Sequence, residues 1–207
     1  KISPLNNILL NTFNKPLLVI ILMGLIFMSV ACINFINFGD GIDGLLAGCM
    51  IIIFSTISIH FNLNFWPCVY CLIGFLLLNW QPSKVFMGDI GSTFLGALFL
   101  GVILQTDNFI DALKILLLAS PLLGDALISL IRRLLSGKSI IIPHKSFYFK
   151  RLNEGGLLHH QVSIIYMIAT LLICICLLFG DLYWMIGAII FELIVLLYLE
   201  KKFAIQI

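Results

Sequence analysis

The sequence predicts an all-α fold, a polytopic transmembrane helix bundle of about seven spans. Of the 207 residues 61% are hydrophobic and only 11% charged, against roughly a quarter charged in an ordinary soluble domain. Mean hydropathy is +1.15, and apolar runs approaching the roughly 20 residues that cross a bilayer's hydrocarbon core recur along the chain. The formal net charge of +2 is too small to argue for nucleic acid, and the basic residues are clustered rather than strung along a groove.

The elements follow in order. The first 16 residues, rich in Asn with Pro4 and Pro16, read as an external loop. Apolar runs then occupy 17–36, 45–61, 65–80, 93–106, 111–131, 162–180 and 182–199, each bounded by Gly, Asn, Asp, Pro or charge. The run at 93–106 is short, and the fifth carries Pro121 and Asp125, so both are expected to be tilted or kinked. Trp66, Trp80, Tyr183 and Trp184 suit interfacial belts, and His60 and Glu192 are assigned structural roles. No repeat or low-complexity linker divides the chain, which reads as one integral membrane domain over 1–207 with a basic, His-bearing loop at 132–161. The six cysteines lie in or beside apolar runs without the partners a zinc site needs, so they read as core or lipid-facing thiols. Lys1 opens the chain with no cleavable leader ahead of the first span, and the expectation is a fragment.

Charge sets the topology. Arg132, Arg133, Lys138, Lys145, Lys150 and Arg151, half of the 12 basic residues, fall in the 132–161 connection, and positive loops stay cytoplasmic. Counting spans from there brings Gly39–Gly44, Gln81–Ser92 and 132–161 to one face, with Asp107 and Asp111 on the other. Three polar clusters distant in sequence are thus expected to meet at the inner membrane boundary.

The first cluster spaces Asn34, Asn37, Asp40 and Asp43 three apart. On an ideal helix the outer pair would face opposite ways; Gly39 and Gly41 let the helix unwind so that both aspartates turn to one pocket, the alternative being a capped helix end. In the second, Asp89 sits between Gly88 and Gly91, ahead of Ser92 and Thr93, at the start of a span. It is either a helix cap or a hard oxygen ligand for Mg²⁺ beside a phosphate. The third, the basic loop, adds His144, His159 and His160 to Lys145, Lys150 and Arg151. Guanidinium forks and imidazoles suit a diphosphate, although topology alone also explains the charge. Asp125, inside the fifth span ahead of Arg132 and Arg133, is a substrate contact or a buried ion-pair partner.

Taken together, Asn34-x-x-Asn37-Phe-x-Asp40-Gly-x-Asp43-Gly, Phe86-Met-Gly-Asp89-x-Gly-Ser92, Pro121-x-x-x-Asp125 with Arg132-Arg133, and His144-Lys-Ser146 running into Arg151-Leu152 and His159 resemble the polyprenyl-phosphate N-acetylhexosamine-1-phosphate transferases of glycosyltransferase family 4. That family includes the translocase that makes the first lipid intermediate of peptidoglycan. The likeness covers roughly residues 30 to 162, and its last part looks most like the subgroup that starts O-antigen and related surface polysaccharides. It implies attack of undecaprenyl phosphate on the β-phosphorus of a UDP-N-acetylhexosamine, with Mg²⁺ as cofactor and UMP released. By resemblance Asp40, Asp43 and His159 are catalytic, and Asp89 with Asp43 holds the metal. Asn34, Asn37, Asp125, Arg132, Arg133, His144, Ser146, Arg151 and His160 bind substrate. The implied setting is a bacterial inner (plasma) membrane, multi-pass, with a cytoplasmic active site, lipid and a second copy of the chain as partners, and no nucleic acid.

Two departures stand against that pattern. The family carries an adjacent pair of aspartates on an earlier cytoplasmic loop, and this chain has no Asp-Asp; the expectation is an N-terminal truncation that leaves the fragment inactive alone. The subgroup also tends to have His and Tyr where Phe147 and Phe149 stand. The competing readings are a membrane transporter, a noncatalytic scaffold and a CDP-alcohol phosphatidyltransferase. The last lacks support because Asp40-Gly41 is not followed by that family's Ala-Arg.

Overall fold

The structure, a computed structural model, describes residues 15–137 and 147–203. Nine α-helices follow one another among these residues, with no strand. They are α1 (Lys15–Phe38), which runs into a 3-10 turn at Gly39–Gly41, α2 (Leu45–His60), α3 (Trp66–Asn79), α4 (Gly88–Gln105), α5 (Phe109–Leu118), α6 (Ser120–Leu135), α7 (Tyr148–Glu154), α8 (His159–Phe179) and α9 (Leu182–Phe203). An all-helical solution is what a bilayer demands of sequence this apolar, because a helix satisfies every backbone donor and acceptor within itself.

α1 with its 3-10 turn, α4, α8 and α9 are each long and apolar enough to cross a membrane. α5 and α6 pass the same test as a pair, bent by 78°. The break falls at Ala119, where Pro121 in the first turn of α6 gives up an amide that has no intrahelical partner there anyway. α2 and α3, at 16 and 14 residues, are apolar but shorter. Each of the seven apolar runs is therefore helical; the fifth is two helices, and two of the others fall short of a full span. The chain is a multi-pass membrane protein.

α2 is the axis of the packing. Its Leu45, Leu46, Cys49, Met50, Ile53, Phe54 and Ile57 are almost wholly buried against α8 on one side and α3 on the other, while α1 packs on α4 and α8 on α9. Lipid tails are as apolar as leucine, so this core is held by close packing more than by withdrawal from water. The six cysteines are free thiols, with Cys49 and Cys174 inside the core, as their apolar surroundings led one to expect.

Candidate functional site

The site begins where α1 stops. At Asp40 the backbone leaves helical geometry (φ −79°, ψ 20°), and Gly44 reverses the chain into α2 with φ +76°. Gly44 is required twice over. Its left-handed conformation penalises any side chain, and a Cβ there would come within 2.8 Å of the Trp80 ring. Its backbone N–H donates to Asn79 Oδ1 at 2.9 Å. Asn79, buried at the end of α3, turns its Nδ2 to the Val85 carbonyl, also at 2.9 Å. One amide side chain thereby joins the first acidic turn to the segment that leads into the second.

At that second turn the Gly88 backbone N–H donates to the Asp40 carboxylate, and Asp40 lies within electrostatic reach of both Asp89 and Asp43. Ser92, fully buried, donates its hydroxyl to Asn37 Oδ1. The residue ahead of α4 is Met87, and no side chain caps the helix. Asp89 is thus an exposed first-turn carboxylate rather than a cap.

The third contributor is the start of α8. His159 Nδ1 stands 3.2 Å from Asp43 Oδ2, yet it forms no aligned hydrogen bond, so the contact is one of proximity. One turn on, the Ser163 hydroxyl donates to the Asp43 carbonyl at 2.7 Å. His160 binds Gln81 through its backbone N–H (3.0 Å) and through Nδ1 (2.8 Å). The segments 37–44, 79–92 and 159–163 therefore meet at one end of the bundle, as the span count predicted.

The remaining predicted residues are placed differently. Asn34 is exposed and donates to the Val30 carbonyl of its own helix. Asp125 is buried and accepts four hydrogen bonds, from the Tyr148 and Phe149 backbone amides (2.6 and 3.3 Å), the Tyr166 hydroxyl (2.7 Å) and the Ser129 hydroxyl (3.1 Å). It caps α7 from another helix, and the four donors are two backbone amides and two hydroxyls. Arg132 grips Glu200 of α9 with both terminal nitrogens (2.5 and 2.6 Å), and Arg151 reaches the same carboxylate at 2.5 Å. Burial, then the charges of Glu200 and Asp125, holds the Tyr148 phenol well above its ordinary pKa, and the protonated hydroxyl donates to the Leu196 carbonyl at 2.6 Å. Arg133 is buried on α6. His144 and Ser146 lie outside the described residues.

α7 closes over the first turn. Phe147 and Phe149 stack with their centroids 5.4 Å apart, and a Cβ on Gly41 would come within 2.7 Å of the Phe149 ring. That close approach seats the basic segment beside Asp40. Lys150 Nζ rides over both rings, 5.6 and 6.0 Å from their centroids.

Asp40, Asp43 and Asp89 are hard oxygen donors of the type Mg²⁺ prefers, and Mg²⁺ takes one or two carboxylates with water and phosphate oxygens completing its shell. Among the described residues no three His, Cys, Asp or Glu side chains are grouped tightly enough to hold a metal by themselves. The donor set fits an ion shared with a phosphate ligand. Along the membrane-facing side, α1, α6 and α9 enclose an apolar cavity of about 470 Å³ whose walls include Met28, Phe35, Pro121 and Leu193, with Glu192 among the few polar residues lining it.

Asn79, Gln81, Ser163, Tyr166 and Glu200 are structurally central and were not expected from sequence. A signal exists for two of them. His159, Ser163, Tyr166 and Thr170 fall at i, i+4, i+7 and i+11, one polar stripe on an otherwise apolar helix.

The chain is 36% identical over 153 residues to a probable undecaprenyl-phosphate N-acetylglucosaminyl 1-phosphate transferase of Bacillus subtilis, covering 67% of this chain and 42% of the relative. To a phospho-N-acetylmuramoyl-pentapeptide-transferase of Prochlorococcus marinus it is 38% identical over 103 residues, 42% of this chain and 28% of the relative. A protein of the same name from Staphylococcus saprophyticus is 29% identical over 163 residues, 74% of this chain and 46% of the relative. The chain thus spans less than half the length of these curated relatives. The model of the family described as glycosyl transferase family 4 matches residues 1–107, a stretch that carries Asn37, Asp40, Asp43, Asn79 and Asp89, and with half of its length in that match the chain belongs to glycosyl transferase family 4.

Proposed function

We propose that this chain forms part of an enzyme that transfers a hexosamine 1-phosphate from a UDP-N-acetylhexosamine to undecaprenyl phosphate, releasing UMP and starting a cell-surface polymer at the cytoplasmic face of the bacterial plasma membrane. The observation that carries the reading is the convergence of Asp40, Asp43 and Asp89 with His159 at one end of a membrane bundle. The name of one relative supplies undecaprenyl phosphate and N-acetylglucosaminyl 1-phosphate as substrate classes, and the UDP donor follows from the resemblance of the motifs. Two of the three relatives are named for a muramoyl-pentapeptide substrate, so a wall polymer stands beside O-antigen as the product line.

Phosphoryl transfer asks a protein mainly for positioning and charge neutralisation. Asp89 and Asp43 would hold Mg²⁺, which when bound neutralises phosphate charge and orients its oxygens. His159, braced against Asp43, is placed to donate to a phosphate oxygen or to carry a proton. Lys150, seated on the Phe147–Phe149 stack next to the Gly39–Gly41 turn, adds a cation at the same edge. The apolar cavity suits the prenyl chain of the acceptor. Its α1 wall ends at Phe35, about one helical turn short of Gly39, so an acceptor lying there brings its phosphate toward the aspartates.

The test is release of UMP from UDP-GlcNAc by membranes containing the complete enzyme of which this chain forms part, with undecaprenyl phosphate and Mg²⁺ supplied. Asp89→Asn is expected to abolish release. Turnover retained in that variant refutes the metal assignment, and absence of any lipid-linked sugar from the wild type refutes the reaction.

A further inference from the structure

Gln81 settles the proton position on His160. Its Oε1 receives the His160 backbone N–H at 3.0 Å and the ring Nδ1 at 2.8 Å. A backbone N–H only donates, so the atom it meets must be the amide oxygen; an amide oxygen only accepts, so Nδ1 must carry a hydrogen. In the neutral imidazole Nε2 is then left with its lone pair. Nε2 makes no hydrogen bond to any described residue. The ring itself is half-buried in the first turn of α8, next to the histidine that meets Asp43.

We propose that Gln81 is a positioning residue that holds His160 in the Nδ1–H tautomer, so that Nε2 accepts a hydrogen bond from a donor group on the sugar of the nucleotide substrate, a hydroxyl or the acetamido N–H. A deprotonated phosphate oxygen carries no hydrogen and is repelled by that lone pair. His160 therefore recognises the sugar rather than the diphosphate, a division of labour in which His159 and Lys150 face the anionic part. The identity of the ligand rests on the function proposed above; the tautomer rests on the two contacts alone.

Gln81 holds this position because of its neighbours. Two residues earlier Asn79 is fastened to both Gly44 and Val85, and between them the Trp80 ring lies against Gly44. The short segment that ends α3 thus carries a fixed backbone from which the Gln81 side chain reaches α8.

Two measurements decide the proposal. Protein labelled with ¹⁵N-histidine and placed in lipid nanodiscs reports the tautomer directly, with the His160 signals assigned by their loss in His160→Gln. The wild type is expected to show a protonated Nδ1 and an unprotonated Nε2. Gln81→Ala should lose that pattern, and Gln81→Glu, which keeps an acceptor oxygen, should restore it. An unprotonated Nδ1 in the wild type, or an unchanged pattern in Gln81→Ala, overturns the positioning role whether or not the protein binds any nucleotide.

The second measurement is binding of UDP-GlcNAc and of UDP to the complete enzyme of which this chain forms part. His160→Ala should weaken UDP-GlcNAc roughly tenfold, the scale of one hydrogen bond to a bound ligand, and leave UDP within about twofold. Equal losses for both ligands overturn the sugar contact. Wild-type protein that binds neither overturns that contact together with the proposed function, while the tautomer is still decided by the nitrogen signals.

Discussion

Asn79 Oδ1 accepts the backbone N–H of Gly44 at 2.9 Å across 35 residues of sequence. Through this bond the end of α3 fixes the chain reversal that aims Asp43, and through Nδ2 and the Val85 carbonyl the same side chain fixes the approach to Asp89. Asn79→Ala strands the buried Gly44 donor and takes the partner from the Val85 carbonyl, and is expected to cost roughly 1–3 kcal/mol. Asn79→Asp keeps the acceptor for Gly44 but sets a buried carboxylate against the Val85 carbonyl, two acceptors facing each other, and should cost at least as much. Thermal unfolding in nanodiscs checks the order of the two variants; an alanine variant as stable as the wild type contradicts it.

Asp125 governs whether α7 is held. Two of its four hydrogen bonds come from the first amides of that seven-residue helix, which is too short to persist alone in water. Asp125→Ala should release those amides, so that hydrogen exchange at Tyr148 and Phe149 accelerates while exchange in α2 stays slow. Unchanged exchange at these two residues would mean that the stacked Phe147 and Phe149 rings suffice to hold α7.

Glu192 is a buried carboxyl on α9 that makes no hydrogen bond to a described residue and lines an apolar cavity. A buried polar group without a partner is a net cost, on the order of 1–3 kcal/mol in mutational data. Glu192→Leu, similar in size and apolar, is expected to raise the thermal midpoint. A fall in the midpoint would show that the carboxyl is engaged in the membrane-embedded protein.

Much of this was legible in the chain, for physical reasons that differ by element. Helices were readable because a bilayer leaves an apolar run no other way to satisfy its backbone, and Pro121 marked the α5–α6 break. The shortness of α2 and α3 was not, since apolarity at 45–61 and 65–80 shows what is buried but not whether lipid or protein covers it. Asp40, Asp43, Asp89 and His159 stood out as titratable groups at the edges of greasy segments. Asn79 and Gln81 flank a tryptophan at the end of a run and read as its boundary, and their partners Gly44 and His160 lie 35 and 79 residues away. Glu200 was hidden just past the last apolar run at 182–199, ahead of Lys201 and Lys202.

That carboxylate makes the bundle asymmetric toward damage. Glu200 is clasped by Arg132 from α6 and by Arg151 from α7, so deleting either arginine leaves the acid with a companion. Neutralising Glu200 takes this carboxylate from two guanidiniums in one stroke, and leaves the Tyr148–Leu196 hydrogen bond to tie α9 to the segment that roofs Asp40.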